Sequence, residues 1–183
     1  MSDGKTAPDV EPRRNFIANL SAIILGGVAS IVPIAAGATA LLDPLRRSKR
    51  DDAGSMTLVT KLSAIPEDGT PKKFTVQSDR VDAWTTYVNT PVGAVYLRTT
   101  PDGITALNVE CPHAGCFVSL ATDRTHFACP CHQSQFALNG VVSDPASPSP
   151  RAMDSLDVEV RNGDEIWVRF QKFLPGRAEK TSV

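Results

Sequence analysis

The sequence has almost no charge imbalance and few cysteines, and each scarcity removes a class of function. Lysine and arginine (19) nearly balance aspartate and glutamate (20), for a formal net charge of -1. There is no basic footprint for nucleic acid and no acidic tail, so electrostatics alone names no partner. Four cysteines in 183 residues are too few for a disulfide scaffold. No CxxCH haem-attachment motif occurs, and no repeat of fixed period is visible. Helix-length periodic stretches are scarce after residue 56, and the chain carries 14 prolines and 12 glycines. That leans its bulk toward a strand-rich, loop-rich domain. The length suits one medium domain with an accessory segment, not two large domains.

What is present is unevenly spread. Residues 1–15 are polar and carry Arg13-Arg14, and the next 27 residues, 16–42, contain no formal charge. About 20 apolar residues cross a hydrocarbon core, so this run predicts a transmembrane anchor, with room for tilt or a bend at Pro33. The alternative is a signal cleaved at the small-x-small pattern Ala36-Gly37-Ala38, but a signal's apolar region is only about 7–15 residues long. Basic residues flank both ends, Lys5, Arg13 and Arg14 before and Arg46, Arg47, Lys49 and Arg50 after. Their count slightly favours a cytoplasmic C-terminal side. Arg13-Arg14-Asn15-Phe16-Ile17 argues the other way, because it resembles the bacterial twin-arginine export signal, a route for proteins that fold around a cofactor before crossing. Residues 43–55 are polar and read as a linker, able to reach roughly 40 Å at about 3.3 Å per extended residue.

From 56 to 183 the pattern predicts an antiparallel β domain. Short strands are expected at 58–62, 73–78, 92–99, 103–109, 116–120, 125–128, 135–142, 156–160 and 164–170. The pairs Asp102-Gly103, Asn139-Gly140 and Asn162-Gly163 supply turns that tolerate positive φ.

The cysteines cluster. Cys111-Pro112-His113-Ala114-Gly115-Cys116 is followed, after 12 residues, by Cys129-Pro130-Cys131-His132-Gln133-Ser134-Gln135-Phe136. Read as ligands, this is CxH, 15 intervening residues, then CxxH. Each arm offers one thiolate and one imidazole, which suits a binuclear iron site with two cysteines on one iron and two histidines on the other. Cys116 and Cys131 are left over, one per arm. A zinc site drawn from four of these six groups remains open, since all are ordinary zinc ligands. A redox dithiol lacks the usual two-residue gap in Cys129-Pro130-Cys131. His126, in a strand-like context, reads as a packed or surface residue.

The two arms resemble the paired cluster-binding loops of Rieske proteins, in the disulfide-bearing class found in cytochrome bc-type quinol-oxidising complexes. The likeness implies an all-β Rieske fold behind one transmembrane helix, with the cluster-binding part at about 107–150. It implies a 2Fe-2S cluster held by Cys111 and Cys129 on one iron and His113 and His132 on the other, with a Cys116–Cys131 disulfide. It implies that Ser134 donates a hydrogen bond to a cluster sulfur, and that Asp144-Pro145-Ala146-Ser147-Pro148-Ser149-Pro150 is a proline-rich loop covering a third side. Gln133 and Phe136 depart from the commonest pattern, which has glycine and tyrosine. Phe136 cannot donate a hydrogen bond, so a potential below that of tyrosine-bearing relatives is expected, suited to menaquinol.

The function implied is that of the electron-transfer subunit of a membrane quinol:cytochrome c oxidoreductase. His113 and His132 would meet quinol, and a cytochrome b subunit and a c-type cytochrome would be partners. The chain would sit in the bacterial inner membrane with its Rieske domain on the periplasmic side and no role with nucleic acid. Two rival readings are the small Rieske subunit of an arsenite-oxidase-like molybdoenzyme and a membrane-tethered zinc module. The chain lacks the length for the mononuclear-iron domain of a ring-hydroxylating oxygenase.

Overall fold

In the computed structural model, residues 12–47, 55–81 and 85–183 are described. They fall into two units.

The first unit is one helix, α1 (Pro12–Arg47). It is wider than the apolar run of 16–42 at both ends. Pro12 stands at its first position, where a missing N–H removes no helical bond. Residues 43–47, read from sequence as the start of a linker, continue the helix. The remainder of that linker, 48–54, and residues 1–11 of the polar leader lie outside the described residues. Asn15–Asp43 is long and apolar enough to cross a membrane. Its large apolar side chains are exposed, Val32 and Leu41 among them. Two of its hydroxyls bond within the helix: Ser30 Oγ donates to Gly27 O and Thr39 Oγ1 to Ala36 O, each at 2.8 Å. That arrangement suits a solvent offering no hydrogen bonds.

In the second unit every strand pairing is antiparallel. β1 (Met56–Lys61) pairs with β10 (Glu165–Arg169), which pairs with β9 (Val158–Arg161). A second sheet runs β2 (Lys72–Val81), β3 (Thr86–Thr100), β4 (Gly103–Asn108) and β8 (Ser155–Leu156). A third, small sheet holds β5 (Ser119–Leu120), β6 (His126–Ala128) and β7 (Gln135–Ala137). The expected turn pairs hold: Gly103, Gly140, Asn162 and Gly163 all take positive φ. Asn162-Gly163, with both residues left-handed, closes the tight β9–β10 hairpin.

Four strands differ clearly from expectation: the single strand expected at 156–160 is two, β8 and β9, in different sheets, the one expected at 116–120 shrinks to Ser119–Leu120, and β3 and β7 change length. β3 starts at Thr86 rather than 92, because Pro91 and Gly93 interrupt the sequence pattern without interrupting the strand. Pro91 sits opposite Gln77 beside a register shift, where ladder bonding is already irregular. Gly93 is required because any Cβ there would collide with the Phe170 ring. β7 ends at Ala137 rather than 142, since Gly140 N–H bonds Ala137 O at 2.8 Å and turns the chain back. Val142 then bridges to Phe136.

Alternating strand residues build two apolar cores. One joins the first two sheets through Val76, Val95, Leu97, Ile166 and Val168. The other, around Tyr96, Val109, Val118, Phe127 and Phe136, includes Cys111 and Cys129. The cysteine arms are therefore rooted in a packed core of their own.

Candidate metal centre

The first arm, 111–116, lies between β4 and β5, and the second, 129–134, joins β6 to β7. Both are closed by the same pair of backbone hydrogen bonds. In the first, Cys111 N–H donates to Cys116 O at 2.7 Å and Gly115 N–H to Cys111 O at 2.8 Å. In the second, Cys129 N–H donates to Ser134 O at 2.8 Å and Gln133 N–H to Cys129 O at 3.0 Å. The fifth residue is left-handed in each, Gly115 at φ 77° and Gln133 at φ 59°. The arms are two copies of one turn.

A disulfide joins Cys116 to Cys131 across them. It leaves two free cysteines, Cys111 and Cys129, both buried. Cys129 Sγ lies within 4.8 Å of both disulfide sulfurs. The imidazoles also meet: the His113 and His132 rings sit edge to face, with centroids 4.8 Å apart. His132 is exposed and His113 half-buried, so the histidine side of the site faces outward and the thiol side inward. His126 stands apart on β6, with Nδ1 3.0 Å from Thr125 Oγ1 and 3.7 Å from Asp123 Oδ1.

Burial pushes the Cys111 thiol pKa up and the neighbouring Cys129 adds to the rise, while the backbone N–H of His113 pulls it down. The thiol side is thus a dry place in which a thiolate needs a cation. Three side-chain polar atoms among the described residues are buried without a partner: His113 Nδ1, Ser134 Oγ and Ser147 Oγ. Buried polar atoms are seldom left so. Two of the three belong to the arms, and an electron-pair acceptor beside His113 Nδ1 with a hydrogen-bond acceptor beside Ser134 Oγ would complete them.

Two supporting residues gave no signal in the cysteine motif. Tyr96, on β3, donates its hydroxyl to Val118 O at 3.3 Å and accepts Leu120 N–H at 3.2 Å, pinning the exit of the first arm. Its ring also packs on Phe127, with centroids 4.7 Å apart. Asn108, fully buried at the end of β4, accepts Glu110 N–H at 3.0 Å and fixes the entry. A lone asparagine between Leu107 and Val109 is the available hint. The proline-rich segment begins two residues after Val142, and Ser143 N–H bonds Gln135 O at 3.1 Å. Asp144 starts it with a side-chain turn, accepting Ala146 N–H at 2.8 Å.

Residues 56–159 match the Rieske [2Fe-2S] domain family. The chain is a member of that family. It is 30% identical over 167 residues to the menaquinol:cytochrome c reductase iron-sulfur subunit of Geobacillus thermodenitrificans, covering 89% of this chain and 92% of the relative. To the protein of the same description from Bacillus subtilis (strain 168) it is 27% identical over 154 residues, 82% and 87% of the two chains. Among solved structures, the cyanobacterial plasma membrane Rieske protein PetC3 from Synechocystis PCC 6803 aligns with a TM-score of 0.43 and 24% identity, over 62% of this chain and 99% of that one.

As a Rieske protein of the disulfide-bearing class, the chain carries a 2Fe-2S cluster. The residues suit it: two buried thiols, two imidazoles, and an unpartnered imidazole nitrogen and hydroxyl occupy one end of one small sheet.

Proposed function

We propose that Cys111 and Cys129 bind one iron and His113 and His132 the other, and that the chain is the electron-transfer subunit of a membrane quinol:cytochrome c oxidoreductase. The observation that carries the ligand set is the buried, unpartnered Nδ1 of His113 beside paired imidazoles and paired thiols. A bound cluster with this ligation supplies a one-electron acceptor at roughly -150 to +300 mV, against about -400 mV for all-cysteine plant-type clusters. Every other part of the task falls to the chain itself.

His113 and His132 would each be bound through one ring nitrogen and carry a titratable proton on the other; with that proton lost, the nitrogen would accept a hydrogen bond from a quinol hydroxyl and take its proton as the electron leaves. The outward position of His132 supports this role. The second core and the disulfide exclude water from the thiol side. Ser134 Oγ, buried and unpartnered, is placed to donate to a cluster sulfur, which favours the reduced state. The proline-rich segment 144–150 covers the third side, its prolines fixing φ without a sheet.

The two relatives described as menaquinol:cytochrome c reductase subunits support menaquinol as the donor, with a cytochrome b subunit and a c-type cytochrome as partners. Helix α1 is the single-pass anchor of a bacterial inner membrane, and the linker read from sequence, less residues 43–47 that the helix takes up, joins it to the domain. Residues 56–183 lie on the periplasmic side, sent there by the twin-arginine motif at Arg13-Arg14.

The test is a redox titration of the purified full chain followed by electron paramagnetic resonance, with iron and zinc measured on the same sample. Two irons per chain and a midpoint inside the histidine-ligated range support the reading. A colourless protein with stoichiometric zinc overturns it. Ligands are then checked one at a time: His132→Ala is expected to abolish the signal, whereas His126→Ala leaves it intact.

A further inference from the structure

We propose that residues 171–183, which lie beyond the family match ending at 159, form a strap that positions the first cysteine arm and not the second. The segment doubles back on itself: Phe173 bridges Ser182, Leu174 N–H bonds Thr181 O at 2.9 Å, and Val183 N–H bonds Lys172 O at 3.0 Å. Phe173 is buried in the first core and anchors the fold-back. At its bend, Leu174-Pro175-Gly176-Arg177 has proline followed by a glycine at φ 72°, the signature of a type II turn.

That turn lies against the first arm. Gly176 N–H donates to Pro112 O at 2.8 Å, satisfying the carbonyl between Cys111 and His113. The Pro175 ring stands 3.9 Å from where a Cβ on Gly115 would lie. The strap is itself held on two sides. Asn108 Nδ2 donates to Gln171 O at 3.0 Å, so the residue that fixes the arm's entry also fixes the strap's start. On the other side Arg151, just past the proline-rich segment, donates to Arg177 O while forming a bidentate pair with buried Asp154 at 2.9 and 2.8 Å. Lys180 Nζ reaches Ser155 O. Among the described residues, none of these strap bonds reaches 129–134.

The strap thus ties the arm bearing His113 to the end of the proline-rich segment, while the second arm relies on its own turn and the disulfide. The link to the cluster rests on the ligand set proposed above; the link to the arm does not.

Hydrogen-exchange mass spectrometry on the full-length protein tests it, because the second arm is an internal control. Two variants are compared with the native chain: one ending after Phe173, and Gly176→Ala, which strains the turn and withdraws its N–H from Pro112 O. Exchange in a peptide spanning 109–117 is expected to rise about tenfold, the equivalent of one hydrogen bond, with 127–136 unchanged. The reduced-state paramagnetic signal of the same variants should broaden as the His113 side gains freedom. Equal acceleration in both peptides, or none in either, overturns the strap. If the truncated chain does not fold, Gly176→Ala alone decides. Iron content of the native chain is read in parallel: its absence would sink the ligand set while leaving the exchange contrast to judge the strap.

Discussion

The two arms share one backbone design and differ in almost everything around it. Each closes with a bond from its first residue to its sixth and from its fifth back to its first, with the fifth in the left-handed region. Yet the first arm uses glycine there and the second glutamine. The first is pinned by Tyr96 and Asn108, whereas His132 and Cys131 of the second are exposed. The comparison teaches that the turn is specified by its hydrogen bonds and by the cysteine that starts it, not by the residue at the bend. Glutamine at φ 59° is tolerated because Gln133 is exposed and its side chain displaces nothing.

Breaking the covalent link between the arms should have the largest effect. Cys116 and Cys131 are 15 residues apart, and a disulfide closing a loop of that size contributes about 3 kcal/mol. The double variant Cys116→Ser, Cys131→Ser should lower the urea midpoint accordingly and lose iron on dilution. Full iron retention would mean that the two turns hold their positions unaided.

Tyr96→Phe touches only the first arm. It strips the partner from Leu120 N–H and Val118 O in a buried setting, so a loss of about 1–2 kcal/mol is expected by chemical denaturation. Unchanged stability would assign the exit of the arm to packing alone.

Exchanging the bend residues sharpens the comparison further. A non-glycine residue in the left-handed region costs about 1 kcal/mol, so Gln133→Gly should stabilise the domain by up to that amount. Gly115→Ala should destabilise it similarly, since the new Cβ meets only an ordinary contact with Pro175. Opposite signs of similar size are the expected result. Equal signs would mean that the two turns are not equivalent.

The sequence made the arms legible and left their supports hidden, for a physical reason. Cys111, His113, Cys129 and His132 announce themselves because few chemistries need soft and imidazole ligands at such spacing, and the leftover Cys116 and Cys131 form the disulfide that the family likeness implied. Most strands were readable from alternation and turn pairs. β3 was cut short on paper because Pro91 and Gly93 look like breakers, and only the fold shows the Phe170 ring that demands a glycine. Tyr96 and the strap reach the first arm through hydrogen bonds over separations of 22 to 64 residues, and Asn108 couples a local bond to one 63 residues away, which no local pattern encodes.

The smallest effect on stability, and the most informative about the site, is expected from Phe136→Tyr. Phe136 is fully buried on β7, paired with Phe127 and bridged to Val142, in the second core with the two free cysteines. A hydroxyl added there must find an acceptor or incur about 1–3 kcal/mol of unsatisfied burial. If a cluster sulfur is that acceptor, stability is nearly unchanged and the midpoint potential rises, because a donor to sulfur favours the reduced state. If no sulfur is within reach, stability falls and the potential stays where it was. Measuring both quantities on one variant therefore asks whether phenylalanine here holds the potential low, as a low-potential quinol would require, or only fills the core beneath the second arm.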